Sequence, residues 1–233
     1  VTASTFDAVL FDFSGTLFRF TENDEWFADL HDESGDDIDI HTQAELVRRM
    51  TQPVGLPADL PDDARIAWKQ RDLDPAQHRR AYLAMLRRSG LSVPGHAESL
   101  YERVLDPASW QPYPDTVDVL KALSDIGIRV GVVSNIAFDL RDVLARYGLR
   151  DLVDYYALSY EVGAIKPDVR LFRAAIDALG VEADRTLMVG DSEEADGGSR
   201  ALGCAFALVE PLPTAERPRG LVDALAAHGF SLS

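Results

Sequence analysis

Four short stretches of this chain set groups capable of chemistry just after apolar runs and just before helical ones. Asp12-Phe13-Ser14-Gly15-Thr16-Leu17 follows Ala8-Val9-Leu10-Phe11, so a carboxylate stands at the carboxyl end of a buried strand, on a turn made by Gly15. Open α/β sheets place their ligand sites at such ends. Ser134-Asn135 closes a second run. A serine hydroxyl and the free N–H groups of a following helix can hold an anion there, and both residues also serve as N-caps. Lys166-Pro167-Asp168 follows a third run and offers an ammonium group, or a plain loop charge. Gly190-Asp191-Ser192, with Asp196 beyond it, follows a fourth. Asp12 and Asp191 fall at neighbouring strand ends. Two such carboxylates repel unless a cation lies between them, and hard oxygen ligands suit Mg²⁺. The same acids also fit helix capping, and Asp196 also fits an ordinary helix surface.

The elements that must position these groups are readable from periodicity. Residues 6–11, 128–133, 155–158, 186–189 and 204–209 are short, apolar and rich in β-branched or aromatic side chains, as buried strands are. Between them, residues 115–126, 137–147, 168–179 and 193–202 have helical spacing, each followed by a glycine stop. This alternation predicts an α/β fold, a Rossmann-like parallel sheet with helices on both faces, built from residues 1–18 and 111–233.

Residues 19–110 break that rhythm. They hold no convincing strand and several helical patterns, over 44–50, 64–71, 74–90 and 95–105, with Asp74-Pro75 as an N-cap and first-position proline. This stretch reads as an inserted helical domain, with Tyr82, Met85 and Leu86 in its core. Within it, residues 22–39 carry nine acids and no Lys or Arg. That spacing does not match an EF-hand, and a solvated loop is the expectation.

Composition narrows the function classes. A net charge of −16 leaves no basic field to hold nucleic acid or an anionic membrane. No apolar run reaches the ~18 residues of a membrane span. The first residues, Val1-Thr2-Ala3-Ser4-Thr5, have neither the basic nor the apolar stretch of a signal peptide, and Cys204 is the single cysteine. A cytoplasmic protein, monomer or homodimer, is expected.

Asp12, Ser134, Lys166 and Asp191/Asp196, in that order and each after a predicted strand, resemble the four motifs of the haloacid dehalogenase-like hydrolase superfamily. The resemblance runs over the whole chain and is strongest over residues 6–17 and 113–209, and the helical insert resembles that superfamily's cap domain. It implies Asp12 as a nucleophile that also ligates Mg²⁺, and Ser14 as a metal ligand through its carbonyl. It implies Ser134 and Asn135 as phosphoryl-oxygen ligands and Lys166 as the neutralising cation. Asp191 becomes a direct metal ligand, with Asp196 a ligand through water or an anchor for Lys166. The implied substrate is a small phosphorylated molecule.

One position departs from the phosphatase pattern. The second Asp of the first motif, a general acid/base, is replaced by Ser14. Three readings therefore stand at this point: a Mg²⁺-dependent phosphatase, a metal-free 2-haloacid dehalogenase, and a phosphate-binding or regulatory protein with little turnover. Asp191 and Phe172, the latter where a dehalogenase tyrosine is expected, favour the first. Trp26, His31, Arg48, Trp68, Arg71, His78 and Arg79 are the candidate substrate contacts of the insert.

Overall fold

The computed structural model describes residues 5–20, 26–51, 60–91 and 93–231. The chain divides into two compact units, Val1–Arg19 with Gln111–Ser233, and Phe20–Trp110. It passes between them along β2 (Phe18–Phe20) and β3 (Trp110–Pro112), which pair as a two-stranded sheet. Sequence periodicity gave no strand here, because three residues are too few to show an alternation.

The first unit is built on β1 (Ala8–Phe11), β4 (Arg129–Ser134), β5 (Tyr155–Leu158), β6 (Thr186–Gly190) and β7 (Ala205–Leu208). They form one parallel sheet in the order β5-β4-β1-β6-β7. This is the α/β fold expected from the sequence. Helices α5 (Thr116–Asp125), α6 (Arg141–Arg146), α7 (Ser159–Val162), α8 (Val169–Leu179) and α9 (Gly220–Ala227) complete the unit. Leu10, Val133, Ala157, Leu171, Phe172 and Met188 share one buried cluster between α8 and the sheet. β1 is central and buried throughout, and Phe11 stands in register with Val132 of β4 and Val189 of β6. That register fixes Asp12 between the carboxyl ends of its two neighbours.

Two helix expectations need correction. The helix after Ser134 begins at Arg141, not at residue 137, and residues 135–140 are irregular. The Asp139 side chain takes the Arg141 N–H at 2.9 Å, and the Ile136 backbone is tied to Ser159 instead of a helix. Ser134 is therefore no N-cap, and no helix N-terminus follows it directly. Residues 193–202 are not an α-helix either. A 3₁₀ stretch, Asp196–Leu202, replaces it, where the Gly197-Gly198 pair weakens helical propensity.

The second unit holds α1 (Ile40–Thr51), α2 (Asp62–Gln70), α3 (Pro75–Arg87) and α4 (His96–Leu105). Asp74 caps α3 by accepting from the Ala76 and Gln77 N–H groups at 2.7 and 2.9 Å. Losing such a cap costs about 1 kcal/mol. Tyr82, Met85 and Leu86 are buried, as the spacing predicts. Trp68, Tyr82 and His78 stack in the same core and Tyr101 lies tilted against them, with His78 Nδ1 2.8 Å from the Tyr101 hydroxyl. Trp26 packs on Phe20. Trp26, Trp68 and His78 are thus core side chains of this unit and not the substrate contacts considered above, whereas His31, Arg48 and Arg79 are exposed and Arg71 is half-buried over Trp68.

The acids between residues 26 and 39 work locally. Asp32 accepts the Ser34 and Asp36 N–H groups, and Asp39 accepts those of His41 and Thr42 at the start of α1. The rest of the acidic segment, residues 22–25, and residues 1–4 and 21 lie outside the described residues. Among the described residues, no helix is long and apolar enough to cross a membrane.

Candidate functional site

The parallel register brings Asp12, Lys166, Asp191 and Asp196 to one end of the sheet. Lys166 Nζ donates to Asp12 Oδ1 at 2.5 Å and to Asp196 Oδ1 at 2.6 Å. All three side chains are almost fully buried. Asp196 also accepts the Ser192 N–H at 3.0 Å, so it is held from two sides and anchors the lysine. Asp191 is half-buried. One oxygen from each of Asp12, Asp191 and Asp196 lies within 4.8 Å of the others, the one such cluster of possible metal ligands found among the described residues.

Two glycines make this convergence sterically possible. Gly15 sits at φ +84°, and a Cβ there would lie 2.3 Å from Asp191 Oδ2. A Cβ at Gly190 would lie 2.2 Å from the Asp196 carboxyl carbon. Any side chain at either position displaces an acid, and at Gly15 it also strains the backbone.

The electrostatics fit a divalent cation. Three carboxylates and one ammonium leave two negative charges uncompensated in a buried space, and the donors are all hard oxygens. Burial pushes the Asp12 carboxyl up to about 7, the nearby Asp196 and Asp191 charges add to this, and Lys166 opposes it. Burial also pushes Asp191 up to about 6, with Asp196 as the next cause. Lys166 is held above its ordinary value by Asp12 and Asp196 despite its burial.

These shifts set the sign of a pH effect. Between an unfolded value of 3.8 and folded values of about 6 and 7, the folded protein binds more protons than the unfolded chain. Stability of the metal-free protein should therefore fall as pH rises from about 4 to about 7. Urea midpoints taken across that range check this, and a midpoint that rises with pH over the whole window contradicts it. Added Mg²⁺ should flatten the decline by favouring the ionised acids.

The remaining predicted residues are placed differently from one another. Ser134 is buried at the last position of β4. The Asn135 carboxamide accepts the Lys166 N–H at 2.7 Å and donates to the Lys166 carbonyl at 3.2 Å. These two bonds tie the side chain to the backbone of the lysine, so it positions Lys166. The Ser14 side chain is exposed. Phe172 is wholly buried in the cluster between α8 and the sheet.

Sequence reading missed two residues. Ser159, at the end of β5, accepts the Ile136 N–H at 2.8 Å and donates to its carbonyl at 3.0 Å, which fixes the loop after Ser134. Arg217, in the loop before α9, is buried against the turn after Asp12. Neither carries a local sequence signal, because their partners are distant in the chain.

Known proteins resemble this chain along most of its length. The family model described as haloacid dehalogenase-like hydrolase matches residues 6–199. A mouse protein named haloacid dehalogenase-like hydrolase domain-containing protein 3 is 39% identical over 125 residues, 52% of this chain and 50% of its own. Glyceraldehyde 3-phosphate phosphatase of Methanothermobacter thermautotrophicus is 34% identical over 110 residues, 46% of this chain and 49% of its own. The chain thus spans about half the length of the curated relatives it matches. A solved HAD phosphatase from Thermococcus onnurineus is 26% identical with a TM-score of 0.52, covering 88% of this chain and 86% of that one.

Proposed function

The chain belongs to the haloacid dehalogenase-like hydrolase family, and from that premise we propose that it is a Mg²⁺-dependent phosphatase of small phosphorylated molecules, working in the cytoplasm. The observation that carries this reading is the buried Lys166 bridging Asp12 and Asp196, with Asp191 beside them and two negative charges left over. A dehalogenase reading has no use for that charge surplus, and Phe172 lacks the hydroxyl of the tyrosine expected at its position. Likeness to two proteins named as phosphatases supports the same choice.

In the proposed reaction an Asp12 carboxylate oxygen attacks phosphorus, the bond from phosphorus to the leaving oxygen breaks, and an aspartyl phosphate forms. Lys166 offsets charge on the nucleophile and the phosphoryl group. The Ser134 hydroxyl donates to a phosphoryl oxygen. Asp196 and Asn135 hold Lys166 in place from its head and its backbone. Water then attacks the phosphorus, which frees phosphate and regenerates Asp12. Asp12, the Ser14 carbonyl and Asp191 would hold Mg²⁺, which supplies charge neutralisation when bound. Ser14 offers no carboxyl proton to the leaving group.

Asp191→Ala tests the metal assignment. It should weaken Mg²⁺ binding at least about tenfold and abolish phosphate release without unfolding the protein. Calorimetry giving equal Mg²⁺ affinity for variant and parent would overturn the assignment. The Phe20–Trp110 unit acts in this proposal as a cap that selects substrate and limits water. Hydrogen exchange at its two connections, β2 and β3, should change when Mg²⁺ and a phosphate analogue are added together. Unchanged exchange at both would remove the gating role.

A further inference from the structure

We propose that Arg217 is a positioning residue of this site, locking the turn that carries Asp12 and Gly15 so that Asp12 and Asp191 stay within reach of one cation. The inference rests on the metal reading above, yet it concerns a residue beyond the 6–199 stretch that the family model matches. Arg217 is 5% exposed. Its Nη1 donates to the Gly15 carbonyl at 2.6 Å and to the Glu210 carbonyl at 3.1 Å, and its Nη2 donates to the Thr16 carbonyl. The guanidinium lies over the Tyr113 ring, 3.1 Å from its centroid, and that ring is itself fully buried.

The turn needs such a partner. Its own hydrogen bonds run from the Leu17 and Phe18 N–H groups to the Phe13 carbonyl and from the Gly15 N–H to the Phe18 carbonyl. The Gly15 and Thr16 carbonyls are the ones Arg217 takes, and they follow directly after Ser14 in the chain, within reach of one planar fork. Gly15 is also the residue whose absent side chain lets Asp191 approach. A shift of this backbone therefore moves Asp12, the Ser14 carbonyl and the contact with Asp191 together. Neighbouring bonds secure the same loop: Arg19 Nη1 donates to the Pro211 carbonyl at 2.7 Å and the Tyr113 hydroxyl to the Leu212 carbonyl at 2.9 Å.

The test compares Arg217→Met, Arg217→Lys and a control, Arg219→Met, whose side chain is exposed. Two quantities are read: amide hydrogen exchange in the metal-free protein, and Mg²⁺ affinity by calorimetry. Arg217→Met should speed exchange at Gly15, Thr16 and Leu17 and weaken Mg²⁺ by about tenfold or more, as expected for loss of buried charged hydrogen bonds. Arg217→Lys keeps the charge without the fork and should fall between variant and parent. Arg219→Met should match the parent. Parental Mg²⁺ affinity in Arg217→Met, or exchange accelerated evenly across the sheet, would overturn the proposal. If Arg217→Met does not fold, Arg217→Lys decides, and a parental affinity for it would likewise overturn the proposal. A parent that binds no Mg²⁺ would refute the metal reading instead, and local exchange at the turn would then decide the positioning role alone.

Discussion

Replacing Asp12 by Asn should reduce phosphate release by on the order of 10⁴-fold or more, because the carboxamide cannot form the acyl phosphate. The substitution keeps the size of the side chain and removes one charge from a buried cluster that holds two more negative than positive groups. Lys166 keeps its bond to Asp196, so no buried cation is stranded. The metal-free variant should accordingly be more stable than the parent above pH 7, where the parent bears the full cost of an ionised Asp12 whose carboxyl burial has pushed up to about 7. Loss of activity joined to a gain in stability is the signature of a group strained for its function. Phosphate assays beside urea unfolding curves at neutral and alkaline pH read both. A variant that keeps a tenth of parental turnover would exclude Asp12 as the nucleophile.

Ser14 governs the second large effect. A serine hydroxyl is too weak an acid to protonate a departing alkoxide, so turnover should depend steeply on leaving-group pKa. Aryl and acyl phosphates, which leave as stable anions, should be hydrolysed far faster than alkyl phosphates. General acid–base help contributes ~10²–10⁴-fold, and Ser14→Asp should raise alkyl ester turnover within that range while changing aryl esters little. Exposure of the residue leaves room for the longer side chain. A series of substrates of graded leaving-group pKa, run on both proteins, measures this. Equal rates across the series in the parent would show that another group supplies the proton.

The central geometry was legible because it follows from strand order. Once β1 is recognised as a buried strand between two others, Asp12 and Asp191 must lie side by side, and a lysine after β5 has the length to reach them. What escaped were contacts that join side chains to distant backbone. Asn135 meets Lys166 across 31 positions, and Arg217 meets Gly15 across 202. Each looks like an ordinary loop residue in its own neighbourhood. The irregular stretch after Ser134 misled for the same reason: its apolar spacing over 137–147 is helical, yet Ser159 and Asp139 claim its first backbone groups. Local propensity yields there to bonds made from elsewhere in the fold.

The most direct test of the central claim is a crystal structure of the protein with Mg²⁺ and beryllofluoride. The account predicts beryllium bonded to an Asp12 carboxylate oxygen, Mg²⁺ held by Asp12, the Ser14 carbonyl and Asp191, and Lys166 still paired to Asp196. Beryllofluoride bound elsewhere, with no cation beside Asp191 and Asp12 unmodified, would contradict it.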